Sequence, residues 1–206
     1  GIHDSSAALL PYLRIHKEPF VLISSGTWSI SLNPFNHEAL GSEDLKNDCL
    51  NYLRSDGQRV KAARLFLGNE YNFQVEKLLS HFEKNENYPR KIKFDQNLYA
   101  KLKKDDRSYF KFESIILDRQ QPQKSSLDVF DSFEKAYHQL LMELVEMQSQ
   151  STYWVFGDSK ITKLFVDGGF ADNRIYVKMI ADQINNVKIY TTRSSLGSAL
   201  GAAMMI

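Results

Sequence analysis

The chain has 206 residues, of which 43% are hydrophobic and 12% aromatic, a composition typical of a folded core and unlike that of a disordered protein. Its formal net charge of +1 gives no reason to expect a nucleic-acid partner. The single cysteine, Cys49, excludes an internal disulfide, and no apolar run approaches a membrane span, so we expect a cytoplasmic protein with no membrane partner.

The first third of the chain is predicted to begin a sheet. Residues 20–23 are a short apolar run, typical of a buried strand, which ends in the turn Ser25-Gly26-Thr27. Residues 28–32 alternate in polarity like the second strand of a hairpin. From about 70 to 82, hydrophobic residues at near-helical spacing predict a helix.

The middle of the chain, residues 85–124, is polar and charged. Two alternating pieces within it, 91–94 and 109–112, are interpreted as short strands. We assign no function to this segment from its sequence.

The last 80 or so residues alternate between helical and strand patterns. A helix from about 127 to 148 has one apolar face, and Ser125 with Asp128 resembles a capping box. This alternation predicts an α/β domain. The elements expected after it are a strand at 163–166, a helix starting near Asp172 or Asn173, a strand at 187–190 and a helix at 196–206.

Three short motifs can carry chemistry, but each also has an ordinary structural interpretation. Asp167-Gly168-Gly169 before a helix lets backbone approach a ligand, or is a tight turn. Ser25-Gly26-Thr27 offers donors to a phosphate, or is a common β-turn. His3-Asp4 includes a carboxylate that can act as a general base, or is an exposed pair. The remaining histidines lack metal-ligand spacing, so no metal site is predicted: His16, His37, His81 and His138.

The order of the motifs is more specific than any one of them. His3-Asp4, Ser25-Gly26-Thr27-Trp28, Asp167-Gly168-Gly169 with Asn173, and Ser198 to Ala203 follow one another along nearly the whole chain. This series resembles the C-terminal half of the FGGY carbohydrate kinases, and the His-Asp and Ser-Gly-Thr-Trp forms are most similar to the rhamnulokinase and fuculokinase branches. One departure is Leu196, where many relatives carry Glu near the start of the last helix.

The resemblance implies roles for particular residues. Asp4 would be the catalytic general base that takes the proton from the attacking sugar hydroxyl. His3 and Asn69 would contact the sugar substrate. ATP would be held by four residues, its phosphates by Gly26 and Thr27 and its α-phosphate and adenine side by Gly169 and Asn173.

The resemblance also implies a fold and an activity. The expected fold class is α/β, a ribonuclease H-like (actin-like ATPase) domain with a mixed sheet flanked by helices. Residues 1–206 would be a single C-terminal, nucleotide-binding domain, and the N-terminal domain, with the Mg²⁺-linked carboxylate and most sugar contacts, would be absent from this chain. The implied reaction is ATP-dependent phosphorylation of a ketose or deoxyketose hydroxyl. Alone, half a cleft should be nearly inert, and its bare face should favour self-association as a homodimer.

Two other functions remain open from the sequence. The chain could be a non-catalytic nucleotide-binding or assembly module, which an upstream domain carrying a phosphate loop would argue against. An actin-like ATPase without a sugar substrate is disfavoured by His3-Asp4, because such an enzyme has no sugar hydroxyl to deprotonate.

Overall fold

The computed structural model of the chain describes residues 4–54, 56–115, 121–192 and 203, and at Asp4 and Ser5 it describes the backbone alone. The helix expected at 196–206 therefore lies outside the described residues, apart from Ala203. The described strands are β1 (Phe20–Ser25), β2 (Ser29–Asn33), β3 (Cys49–Leu53), β4 (Arg59–Leu65), β5 (Lys163–Gly168) and β6 (Lys188–Thr191). The described helices are α1 (Asp4–Ile15), α2 (Ser42–Lys46), α3 (Leu67–His81), α4 (Gln96–Leu102), α5 (Phe133–Phe156) and α6 (Arg174–Gln183). None of these helices is long and apolar enough to cross a membrane.

The strands form one six-stranded mixed sheet in the order β3-β4-β2-β1-β5-β6. β1 pairs with β2 in an antiparallel hairpin and with β5 in parallel, and β6 continues the parallel side. The apolar residues of β1 are fully buried because helices cover both faces of the sheet. The expected α/β architecture, with a mixed sheet flanked by helices, is confirmed. The hairpin at 20–32 and the strands at 163–166 and 187–190 are confirmed as well.

The two faces of the sheet pack against different helices. α1 covers one face, where Leu9 and Tyr12 pack with Phe20, Leu22 and Phe165. α3, α5 and α6 cover the other face, which buries the alternate residues of β1 and β5: Val21, Ile23, Leu164 and Val166. The alternation of side chains along each strand thus assigns neighbouring residues to separate cores.

The longest helix, α5, begins later than the sequence predicts. Ser132 is its N-cap, and the Ser132 hydroxyl accepts a hydrogen bond from the backbone N–H three residues on, at 3.3 Å. The predicted capping box of Ser125 with Asp128 is wrong. Ser125 Oγ instead accepts a hydrogen bond from the Lys111 N–H at 3.0 Å, and Leu127–Val129 form a separate 3₁₀ turn.

Two buried carboxylates hold the charged middle of the chain to the core. Glu143 on α5 accepts hydrogen bonds from the two N–H groups at 109–110, at 2.8 and 3.4 Å. Glu70 on α3 accepts from the two N–H groups at 113–114, at 3.0 and 2.7 Å. Buried backbone donors need acceptors, and here the side chains of two helices supply them in place of a neighbouring strand.

The short strands predicted at 91–94 and 109–112 are wrong, because neither segment joins the sheet and Pro89–Lys91 form a 3₁₀ turn. Phe110 and Phe112 are both buried, as their alternation suggests. The Phe112 N–H, however, bonds to the Gln121 side chain at 2.8 Å rather than to another strand. Alternating burial in this segment follows from packing against the helices and not from sheet formation.

We expect Glu70→Gln to lower the free energy of unfolding by about 1–3 kcal/mol, because it replaces an acceptor with a donor at a fully buried site that faces backbone N–H groups. Denaturant unfolding measures the change. Glu76→Gln, at an exposed position on the same helix, is the matched control and should stay within about 0.5 kcal/mol of the parent. Equal stability of the two variants would show that Glu70 does not anchor residues 113–114.

Candidate functional site

A cleft of about 1220 Å³ opens where β1 and β5 end. The two strands are parallel neighbours, and Ser25 lies opposite Gly168 in their last pair. In α/β domains, ligands bind at the carboxyl ends of parallel strands, where the following turns meet. The walls of the cleft are these two turns, the first turns of α3 and α6, part of α5, and the segment 89–94.

Four residues expected to hold ATP line this one cleft: Gly26, Thr27, Gly169 and Asn173. Two come from the turn after β1 and two from the segment after β5, so the fold brings together distant parts of the chain. Asn69 does not line the cleft, because its amide nitrogen donates to Ser114 Oγ at 3.0 Å. Its contact with the sugar stays a prediction. His3 and its contact with the sugar lie outside the described residues.

Asp4 is the first residue of α1, across the sheet from α3, α5 and α6. The ring of Tyr12 packs on Phe165 with ring centroids 5.0 Å apart, and its hydroxyl interacts with Asp167, two residues further along β5. Burial raises the pKa of Tyr12 to about 12. The ring of His16, just past the end of α1, lies 6.1 Å from the ring of the first residue of β1, a strand parallel to β5. The end of α1 is therefore near the amino ends of these strands, and Asp4, about two turns before Tyr12, lies toward the carboxyl edge of the sheet. The Asp4 side chain is outside the described part of the structure.

Two glycines at this edge are needed for the fold, whereas two others face open space. Gly168 has a φ of 82°, and a Cβ there would overlap the carbonyl oxygen of Ser25. A Cβ on Gly68, at the start of α3, would overlap the carbonyl oxygen of Gly26. By contrast, a Cβ on Gly169 would meet no described atom within 4 Å, and for Gly26 the nearest is 3.9 Å away. Gly26 and Gly169 thus leave room for a ligand beside the backbone.

The Ser25 hydroxyl joins the turns that follow β1 and β5. It donates a hydrogen bond to the Asp167 carbonyl oxygen and accepts one from the Phe170 N–H at 3.0 Å. Asp167 is buried, and its carboxylate accepts from the Gly168 N–H at 2.7 Å and from the Thr192 hydroxyl at 2.8 Å. Both turns are therefore fixed in position before any ligand binds.

Thr27 presents donors at the mouth of the cleft. The Gly26 N–H donates to the Trp28 carbonyl oxygen at 2.8 Å, and the Thr27 carbonyl oxygen accepts from the Asn69 N–H at 3.1 Å. Among the described residues, neither the N–H nor the hydroxyl of exposed Thr27 has a hydrogen-bond partner. A backbone N–H and a hydroxyl of the same residue suit an anionic oxygen.

Asn173 is the N-cap of α6, which confirms the predicted start of this helix. Its Oδ1 accepts hydrogen bonds from the N–H groups of Ile175 and Tyr176 at 3.1 and 3.2 Å. Its Nδ2 donates to the Tyr137 hydroxyl at 3.0 Å. The amide nitrogen carries two donors, and it also interacts with the Tyr71 hydroxyl, another group of the cleft lining.

A cationic wall, which the motifs did not indicate, faces these turns. Within the described part of the chain, Asp172 is the one carboxylate in the cleft lining. None of the cationic side chains in this lining forms an ion pair with a described residue. The run Arg-Lys-x-Lys at 90–93 was the available sequence signal, but it lies in the segment to which we assigned no function. Such a wall favours an anionic ligand. Its members are Arg90, Lys91, Lys93, Arg174 and Lys178.

Buried His138 positions the wall. Its Nε2 accepts a hydrogen bond from the Asp95 N–H at 3.1 Å, and its Nδ1 lies 2.7 Å from the Glu134 carbonyl oxygen. Burial lowers the pKa of His138, so the neutral ring with its proton on Nδ1 fits both contacts. Phe94, next to Asp95, lines the cleft, and the Lys178 Nζ lies over its ring at 4.8 Å.

Within the described ranges, no three His, Cys, Asp or Glu side chains stand close enough to hold a metal ion. The donors of the cleft are N–H groups, hydroxyls and cations, and these bind anions rather than metals. The site fits a phosphorylated ligand with room to approach the glycine backbone.

No protein-family model and no curated protein matches the chain. Among solved structures, a carbohydrate kinase from Novosphingobium aromaticivorans is similar, with a TM-score of 0.63 and 19% identity over 98% of this chain and 43% of that one. A xylulose kinase from Bifidobacterium adolescentis matches with a TM-score of 0.61 and 15% identity, over 97% and 38% of the two chains. A Plasmodium falciparum glycerol kinase with ADP matches with a TM-score of 0.61 and 15% identity, over 98% and 40%.

These similarities define the class of fold. The chain has the mixed α/β fold found in part of these carbohydrate kinases, and it spans well under half of their length.

The two classes of glycine predict a contrast in stability. Gly168→Ala should lower the free energy of unfolding by about 1–3 kcal/mol or more, because alanine at this position would have a positive φ and its Cβ would overlap the Ser25 carbonyl oxygen. Gly169→Ala should change it by less than about 0.5 kcal/mol, because its Cβ meets open space. Denaturant unfolding of both variants checks this, and a larger loss for Gly169→Ala would refute the assignment.

Proposed function

We propose that residues 1–206 are the C-terminal, nucleotide-binding domain of an ATP-dependent carbohydrate kinase of the FGGY family, with a ribonuclease H-like fold. The observation that carries this proposal is the single cleft lined by Gly26, Thr27, Gly169 and Asn173 in a chain with the fold of carbohydrate kinases. The missing part of the active site would be supplied by an N-terminal domain of the same protein.

ATP fits the chemistry of the cleft. Phosphate oxygens would bind the free N–H and hydroxyl of Thr27 and lie against the uncrowded backbone of Gly26 and Gly169. The α-phosphate and adenine side would lie near Gly169 and Asn173. The positive charge of the cationic wall attracts a polyanion such as ATP. The volume of the cleft, about 1220 Å³, is ample for a nucleotide.

Mg²⁺ is expected with ATP, but the described residues of this chain offer no cluster that would hold it. In the proposal, its carboxylate belongs to the N-terminal domain. When bound, Mg²⁺ would neutralise charge on the phosphates, and the cleft residues of this chain would bind and orient the nucleotide.

Asp4 is proposed as the general base. A carboxylate at the carboxyl edge of the sheet could accept the proton of a sugar hydroxyl as its oxygen attacks the γ-phosphoryl group of ATP. His3 would contact the sugar, a ketose or deoxyketose, as in the rhamnulokinase and fuculokinase branches. The position of Asp4 at the start of α1, toward the carboxyl edge of the sheet, supports the assignment.

Gly169→Val should weaken ATP binding about 5- to 150-fold, since overlap with a bound ligand costs about 1–3 kcal/mol. Calorimetry with MgATP on the intact protein measures the change. Gly41→Val is the matched control, because Gly41 is extended, exposed and not part of the cleft lining. A folded Gly169→Val variant with unchanged affinity would mean that the Gly-Gly turn is only structural.

Asp4→Asn in the intact protein should lower kcat by about 10²–10⁴-fold while ATP affinity changes little, because shape is kept and the base is lost. The assay is ADP release with rhamnulose, fuculose, xylulose, ribulose and glycerol as acceptors. More than roughly a third of the parent kcat in the variant lies far outside the range for loss of a general base and would reject Asp4. ATP binding without release of ADP for any sugar would instead favour a non-catalytic nucleotide-binding module.

A further inference from the structure

Three side chains from three helices form a hydrogen-bonded chain at the back of the cleft. Asn173 Nδ2 donates to the Tyr137 hydroxyl at 3.0 Å, and the Tyr137 hydroxyl lies 2.8 Å from the Tyr71 hydroxyl. The orientation of the Asn173 amide is fixed, because its Oδ1 accepts from two backbone N–H groups of α6 and only its nitrogen can face Tyr137.

The direction of the second bond follows from the burial of Tyr137. Its side chain is 2% exposed, and among the described residues its hydroxyl contacts only Asn173 and Tyr71. Asn173 offers a donor there, so Tyr71 is the one acceptor for the Tyr137 proton. If Tyr71 donated instead, Tyr137 would keep a buried O–H without an acceptor, which is costly. The favoured order is therefore Asn173 N–H to Tyr137 oxygen, and Tyr137 O–H to Tyr71 oxygen.

This order leaves the proton of Tyr71 unused. Tyr71 lines the cleft, and within the described residues two groups donate toward its hydroxyl oxygen, the Tyr137 hydroxyl at 2.8 Å and the Asn173 amide. Its ring is held edge-on against Phe170 with centroids 5.2 Å apart, so the hydroxyl is fixed in place. Phe170 directly follows Gly169, where the backbone is open to a ligand.

We infer that Tyr71 is a ligand-binding residue whose hydroxyl donates a hydrogen bond to an acceptor atom of the nucleotide bound in this cleft. The inference rests on the proposed function and adds a contact that no motif contains. Tyr137 is then a positioning residue, which turns the Tyr71 hydroxyl into a donor by occupying its oxygen.

The surroundings of Tyr71 suit this role. Burial raises the pKa of Tyr71, so the hydroxyl keeps its proton at neutral pH. Arg90, also in the lining, acts on Tyr71 electrostatically. A cation beside an O–H donor favours an electron-rich acceptor, such as a phosphate or ribose oxygen or a ring nitrogen of the nucleotide.

The test compares Tyr71→Phe, Tyr137→Phe and Tyr176→Phe in the intact protein by calorimetry with MgATP, with thermal unfolding of each variant alongside. Tyr176 is the control, because its hydroxyl is buried without a partner in the described structure and its side chain is not part of the cleft lining. We expect Tyr71→Phe to lose about 2- to 13-fold in affinity, as for one neutral hydrogen bond, and Tyr176→Phe to lose none.

Tyr137→Phe separates ligand contact from a structural role. It breaks the link to Asn173 but keeps the Tyr71 hydroxyl, so it should lose less affinity than Tyr71→Phe. If the chain only holds α6 in place, Tyr137→Phe should instead lose as much as Tyr71→Phe or more, and the inference is overturned. Unchanged affinity of Tyr71→Phe also overturns it. Failure of the parent protein to bind MgATP would reject the proposed function itself and the inference with it.

Discussion

The close approach of β5 to the end of β1 is the constraint on which the site depends. Gly168 lies so near the Ser25 carbonyl oxygen that no side chain fits between them, and its positive φ turns the chain toward α6. The Ser25 hydroxyl then bonds to both sides of that turn. A second glycine contact, Gly68 against Gly26, brings α3 to the same place. The cleft exists because these three segments of backbone meet without side chains between them.

The buried carboxylates and the cationic side chains of the cleft lie in different parts of the molecule and have different partners. Glu70 and Glu143 are buried and satisfy backbone N–H groups, so their charge is compensated within the protein. The cationic side chains at 90–93 and on α6 face the cleft without ion pairs among the described residues. Positive charge without an ion-pair partner therefore lies around the ligand space, although the net charge of the whole chain is only +1.

The sequence predicted the parts of the fold whose pattern is local. The apolar run of β1, the Asp-Gly-Gly turn and the start of α6 each have a signature within a few residues, and the structure contains all three. The segment at 109–112 has the same alternation as a strand, but its donors bond to side chains remote in sequence, which periodicity does not reveal. The start of α5 was misplaced for a similar reason, because Ser125 bonds to Lys111 rather than to its own helix. The Tyr71–Tyr137–Asn173 chain depends on contacts between elements, so no single stretch of sequence indicated it. The basic run at 90–93 is visible in the sequence, but its position beside the cleft also depends on contacts between elements.

The hydrogen bonds that attach the middle segment to the helices do not involve the residues of this segment that line the cleft. Its attachment uses backbone N–H groups at 109–114, whereas the side chains that face the ligand space lie at 89–94. The residues whose N–H groups attach the segment to the helices are thus different from the residues whose side chains line the cleft. A backbone donor is the same for every residue except proline, so these hydrogen bonds do not depend on side-chain identity, whereas the packing of buried Phe110 and Phe112 does. Divergence at 90–93 could therefore retune the charge around a bound molecule while the scaffold of the domain stays the same.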